Sequence, residues 1–333
     1  MNFKRNRKIL IVIIVVSTAI FLFEVYVPKS FASSESIYYS LEKGSNFNDV
    51  SEDLAKEGII QNALFFNIYT IFSLKYSKLQ AGNYELSSSM SIADIVNKFS
   101  SGIVVKNKVA IIEGWDIKDL SNNLDKNHIY NKEDFILETK KDFSDKFSFL
   151  KDKPKNIDLE GYIFPDTYYV AENSFPEELI MVSLDNFDKK LTSNLRDEIL
   201  KQKKTIFQIV TMASMIEKEV RSLEDKKIVS GILWKRIQEG IPLQIDATVN
   251  YITGKHDGKV SIKDTGIDSP YNTYKYYGLP KGPISNPGIE SILATIYPEQ
   301  SSYWYYLSAD GTGKTIYSKT LDEHIQAQIK YFK

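Results

Sequence analysis

Cysteine is absent from the 333-residue chain. That excludes disulfide frameworks, thiolate zinc sites, iron–sulfur clusters and cysteine nucleophiles together. Histidine is nearly as scarce: His128, His256 and His324 show no H-x-x-x-H spacing, so a histidine-rich metal site is not expected. Glycine (16) and proline (10) fall below ordinary usage, which excludes collagen-like and low-complexity architectures. Charge of one sign is also missing. The 42 basic and 43 acidic residues give a net charge of -1, whereas a nucleic-acid binder usually carries a basic excess. No nucleic-acid partner, metal or cofactor is expected. An enzyme of this composition works with carboxylates, hydroxyls, lysines or aromatics.

What is present is a folded-protein composition, 43% hydrophobic and 26% charged, over a length that allows two domains. Lys4, Arg5, Arg7 and Lys8 precede an uncharged run from Ile9 to Phe23, and the apolar stretch continues past Glu24 to Val27. Together that is about 19 residues, near the roughly 20 a helix needs to cross a bilayer. The positive cluster predicts residues 1–8 as a cytoplasmic tail, 9–27 as a single membrane-spanning helix and the remainder outside the cell membrane. A cleaved signal peptide is the rival, since Ser30-Phe31-Ala32 has small residues at suitable offsets. The run is long for a signal sequence, which favours a retained anchor.

Residues 28–36 read as a polar tether. Strands are expected at Ile37–Leu41 and Gly82–Leu86. Helices are expected at Asn46–Glu57, Ile59–Phe72 and Ser91–Phe99, making a small α+β module over residues 37–102. Residues 103–333 form a larger α+β domain, opening with a strand at Val104–Ile112 and a helix at Ile117–Leu124. The Lys- and Asp-rich stretch 131–156 reads as a solvated face or insertion.

Four segments could carry chemistry. In the helix from Ile206, Thr205-x-x-Gln208 is a capping box, and an apolar stripe runs to Glu217 and Glu219. A carboxyl at the edge of a buried face has its pKa raised by desolvation, as a general acid needs. The alternative is a pair of structural salt bridges, and the helical wheel does not choose between the two glutamates. The second segment, Glu160 to Tyr169, interleaves Glu160 and Asp166 with Tyr162 and further aromatics, which suits sugar binding but also a buried strand. In the third, strand alternation sets Gln244, Asp246 and Thr248 on one side. The fourth, a Gly-, Pro- and Asn-rich loop from Tyr271-Asn272-Thr273-Tyr274 to Gly288, has the character of a binding loop. Gly311-Thr312-Gly313-Lys314-Thr315 resembles the end of a P-loop, but Ser308 stands where that motif needs glycine, and flanking strands make it a hairpin turn.

Several separated motifs together resemble the YceG-like family of endolytic murein transglycosylases. They are Ala81-Gly82-Asn83-Tyr84, Ile112-Glu113-Gly114, Glu160-Gly161 with Pro165-Asp166-Thr167, and Ala213-Ser214-Met215-Ile216-Glu217-Lys218-Glu219. The series continues through Arg236, Leu243-Gln244, Asp246, Thr248, Tyr271-Asn272-Thr273-Tyr274, Gly278-Leu279-Pro280, Asn286-Pro287-Gly288 and Ala309-Asp310-Gly311.

The resemblance implies a membrane-anchored lytic transglycosylase that cuts inside nascent peptidoglycan strands, leaving 1,6-anhydro-muramic ends and so ending or trimming glycan elongation. It implies a LysM-like character for residues 37–102, Glu219 as the catalytic acid, and association with peptidoglycan synthases (penicillin-binding proteins). Val220, Ala247 and Lys314 depart from the family pattern, which bears on local loop geometry. Two other classes remain: a non-catalytic peptidoglycan-binding scaffold, and a muramidase-type hydrolase pairing Glu219 with a carboxylate such as Asp246.

Overall fold

A computed structural model describes residues 2–31, 36–42, 44–102, 105–172, 174–255, 260–309 and 313–331. Ala32 and the tether residues up to 35, Lys43, Val104, His256, and Asp310, Gly311 and Thr312 lie outside the described residues. The chain divides into two units, residues 1–107 with 169–174, and residues 108–168 with 175–333. Among the described residues helices dominate, with three two-stranded sheets. The class is α+β.

The first unit begins with helix α1 (Asn2–Tyr26), whose segment Asn6–Tyr26 is long and apolar enough to cross a membrane. Then come β1 (Ile37–Leu41), α2 (Phe47–Lys56), α3 (Ala63–Phe72), β2 (Gly82–Leu86) and α4 (Ile92–Ser101). β1 and β2 are antiparallel, with Tyr39 opposite Tyr84. Tyr84, Phe66, Ile95 and Phe99 fill the core between sheet and helices. α3 starts later than apolar spacing predicts. Asn62 caps it by accepting from Leu64 N–H at 2.8 Å, while Ile59 and Ile60 turn into the core after Gly58.

The second unit takes in most of β3 (Lys106–Ala110), then α5 (Ile117–Lys126) and α6 (Lys132–Glu138). β4 (Thr167–Ala171), which pairs with β3, leads to α7 (Pro176–Lys190), α8 (Ser193–Lys201), α9 (Ile206–Glu219) and α10 (Leu223–Gln238). After α11 (Asp246–Thr253), α12 (Ile262–Thr265) and α13 (Ile289–Ile296), the chain closes with hairpin β5 (Tyr305–Ser308), β6 (Thr315–Ser318) and α14 (Leu321–Tyr331). α9 is the axis of this unit. Every residue from Ile209 to Ile216 is buried, so it is enclosed on all sides rather than packed along one stripe. Its small polar residues make that possible, because Ser214 bonds the backbone of Ile284 at 3.0 Å and Thr211 bonds back to Phe207.

Two expectations need correction. Residues 131–156 are not simply a solvated face: Phe135, Phe143, Phe147, Phe149 and Leu150 are buried. In the same stretch, Asp152 accepts from Ile206 N–H at 2.7 Å and so caps α9 beside the Thr205–Gln208 box. The lysines and aspartates sit between these apolar anchors. The second correction concerns Gln244–Thr248, which is not a strand. Gln244 has φ 55° and Asp246 opens α11. Gln244 and Asp246 stay exposed while Thr248 turns into the interior.

Gly161 carries the close approach on which the α9 packing rests. With φ at +85°, an added Cβ would lie 2.6 Å from Pro283 Cβ and 2.7 Å from Val210 Cγ1. Gly161→Ala is expected to destabilise by about 1–3 kcal/mol. A lower denaturant midpoint at unchanged slope would register that loss. An unchanged midpoint would show that Pro283 and Val210 yield freely.

Candidate active site

The second unit holds a cleft of about 810 Å³. Its wall includes the end of α9, the start of α11, the Tyr274 loop and the β5 strand, so Glu219, Gln244, Asp246, Tyr274, Arg236 and Tyr306 all face one space. Among the described residues, no cluster of His, Asp and Glu is arranged to hold a metal ion.

Glu219 is the last residue of α9, and Val220 leaves the helix in extended conformation. The carboxyl is partly buried. It accepts from Tyr306 Oη at 3.1 Å and from the Ala247 backbone N–H. Burial, followed by the negative charge of Asp246, pushes its pKa up to about 7, although both donors pull downward. Asp246 in turn accepts from the Tyr274 hydroxyl, and burial with this contact pushes the Tyr274 pKa up. Gln244 N–H bonds Thr273 O at 3.1 Å, Ile245 N–H bonds Thr273 Oγ1 at 2.9 Å, and Thr248 and Thr273 hydroxyls meet at 3.0 Å. Those bonds fix Asp246 against the Tyr274 loop. Arg236 donates to the Trp304 and Leu243 carbonyls at 3.0 and 2.8 Å, tying β5 to the segment before Asp246.

Glu217 has different surroundings. It pairs with Lys226 at 3.1 Å, and the two side chains are 8% and 3% exposed. Its second oxygen accepts from Gly288 N–H at 2.9 Å and Ser291 Oγ at 2.7 Å. It holds α10 and α13 to α9 and is not on the cleft wall.

The other sequence candidates are also placed away from the cleft. Glu160 is buried, accepting from Ile117 N–H at 3.0 Å and Asn286 Nδ2 at 3.3 Å, and desolvation raises its pKa well above the usual carboxylate value. Asn286 also bonds Trp115 O and Ile163 N–H and accepts from Gly114 N–H at 2.9 Å, so it joins three of the sequence motifs. Tyr162 is enclosed by Phe149 and Phe187. Asp166 is exposed and holds Asn186 at 2.9 Å. Tyr271 packs on Tyr251 at 5.1 Å, and Asn272 donates to the Thr265 and Ile267 carbonyls, shaping the loop that carries Tyr274. Tyr306, which touches Glu219, is among the cleft residues that the sequence did not single out. Its alternating strand was legible, but its contact with Glu219 spans 87 positions.

The YceG-like family model matches residues 39–330. An endolytic murein transglycosylase of Bacillus subtilis is 32% identical over 313 residues, 90% of this chain and 86% of that protein. One from Streptococcus pneumoniae serotype 2 is 30% identical, and the chain spans 58% of its length. A crystal structure of a YceG-like protein from Listeria monocytogenes superposes with a TM-score of 0.60 at 36% identity, covering 89% of this chain and all of that one. The chain belongs to the YceG-like family.

Proposed function

We propose that the protein is a lytic transglycosylase of peptidoglycan, cutting within glycan strands between N-acetylmuramic acid and N-acetylglucosamine, with Glu219 as acid and then base. One observation carries the reading: a partly buried carboxyl, pushed up to about 7, stands in a large cleft beside an aspartate. At neutral pH such a group is populated in both protonation states, as a residue that gives and then takes a proton requires.

Protonated Glu219 donates to the glycosidic oxygen as its bond to muramic C1 breaks. The carboxylate left behind takes the proton of the C6 hydroxyl, whose oxygen closes on C1. The net result is one proton moved between two sugar oxygens, one C–O bond broken and one formed, with no water consumed. Positive charge at C1 needs a counterweight. The candidates for it are the substrate's own acetamido group and the carboxylates Glu160, Asp166 and Asp246; of the carboxylates, Asp246 lines the cleft, whereas Glu160 is buried elsewhere and Asp166 lies off the cleft wall. The apolar α1 supports a cell-membrane protein, and the Lys4, Arg5, Arg7 and Lys8 cluster before it favours a cytoplasmic N-terminus with the LysM-like unit and cleft outside. Peptidoglycan synthases are the partners this placement favours.

The pH profile tests the proton role. Turnover needs protonated Glu219, so it falls as pH rises through about 7. Asp246→Asn removes a charge that raises this pKa, and the falling limb should move to lower pH. A limb that stays in place would separate Asp246 from Glu219. To test the reaction itself, purified glycan strands are digested and sized. Shortened strands resistant to borohydride are expected, while reducible new ends would indicate a hydrolase.

A further inference from the structure

α3 and the two residues after it, Ala63–Leu74, contain no charged side chain. Phe66 and Thr70 face the core of the first unit. Leu64 is 60% exposed, Phe72 80% and Leu74 70%, with Ile71 exposed between them. An exposed apolar patch of this kind marks an interaction surface.

The packing of α3 on α1 indicates what covers it. The Phe65 ring lies 6.2 Å from Phe21, and Tyr69 lies 6.1 Å from Tyr26. Lys29 Nζ donates to Gly58 O at 3.0 Å and Ser30 N–H to Ser88 O at 2.9 Å, so the chain leaving α1 is fastened to the same unit. Phe21 sits roughly 7.5 Å along the helix axis from Tyr26, at 1.5 Å per residue. With Tyr26 at the outer interface, Phe21 lies among acyl chains and Phe65 lies beside it. The uncharged α3 then starts at the depth of the lipid, not above it.

On the reading that α1 spans the membrane, we infer that α3 is an interfacial membrane helix. Leu64, Ile71, Phe72 and Leu74 enter the boundary between headgroups and acyl chains, as the apolar face of an amphipathic anchor does. The anchor is therefore a spanning helix braced by a second, shorter one that dips into the same interface, and the first unit rests on lipid instead of hanging from a stalk.

The lack of cysteine makes the test clean. Full-length Leu64→Cys, Phe72→Cys and, as the anchor reference, Ile14→Cys carry an environment-sensitive dye in vesicles of phosphatidylglycerol and phosphatidylethanolamine. Dyes at 64 and 72 should lose emission to lipids with a nitroxide near the headgroup and resist iodide supplied on both sides. The dye at 14 should be quenched by a nitroxide deep in the acyl chain. Iodide quenching at 64 and 72 with deep quenching at 14 would overturn the inference and leave the anchor standing. Resistance to both quenchers at 64 and 72 would mean a protein covers α3, which also overturns it. Loss of deep quenching at 14 would remove the spanning reading and the inference together.

Discussion

Glu219→Gln is expected to lower turnover by roughly 100- to 10,000-fold while making the folded protein more stable at pH 8. The two effects share one cause. The carboxyl has an ordinary value of 4.5 and is raised to about 7 in the fold, so the folded state resists its ionisation. Its contribution to stability is full below about 4.5 and is lost as pH rises through about 7. Glutamine keeps the shape and can still accept from Tyr306, but it carries no charge and gives no proton. The gain at pH 8 is up to about 3 kcal/mol, and it should vanish near pH 4. Thermal melts of wild type and variant at both pH values check it. An inactive variant that is also less stable at pH 8 would show that Glu219 is a structural group and not a poised acid.

Lys226→Met is expected to destabilise by about 3–5 kcal/mol, roughly 6–20 °C in Tm. The Lys226–Glu217 pair is nearly closed to solvent, and Glu217 also holds Gly288 and Ser291. Removing the ammonium leaves a buried carboxylate with two neutral donors and no counter-charge. Adding Glu217→Gln should recover much of it, because an amide oxygen still accepts from Gly288 or Ser291. Losses that simply add in the double variant would contradict the pairing.

These two residues show where sequence legibility ends. Helix α9 could be read from its Thr205–Gln208 box and apolar spacing, because both signals lie within one turn or one face. The hairpin around Lys314, the strands β1 and β2 and the apolar N-terminal helix were legible for the same local reasons. The different fates of Glu217 and Glu219 were not. They sit one residue apart either side of Lys218, and their partners Gly288, Ser291 and Tyr306 lie 71 to 87 positions away. Gln244–Thr248 misled because polar alternation also fits a left-handed residue followed by a helix start, and Ile245 at the N-cap gives no capping signal. In the stretch 131–156, charge density masked phenylalanines that anchor it to the interior. Glu160 and Tyr162 look like a sugar platform in sequence, yet their neighbours enclose them.

The most direct test of the central claim, that Glu219 closes an anhydro ring without water, is digestion of glycan strands in water enriched in oxygen-18. Mass spectrometry then reads the new muramic ends. Wild type should give 1,6-anhydro ends with no heavy oxygen, and Glu219→Gln none of these ends. Ends that carry one oxygen-18 would contradict it, and would make the cleft a hydrolase in which Asp246 has a share.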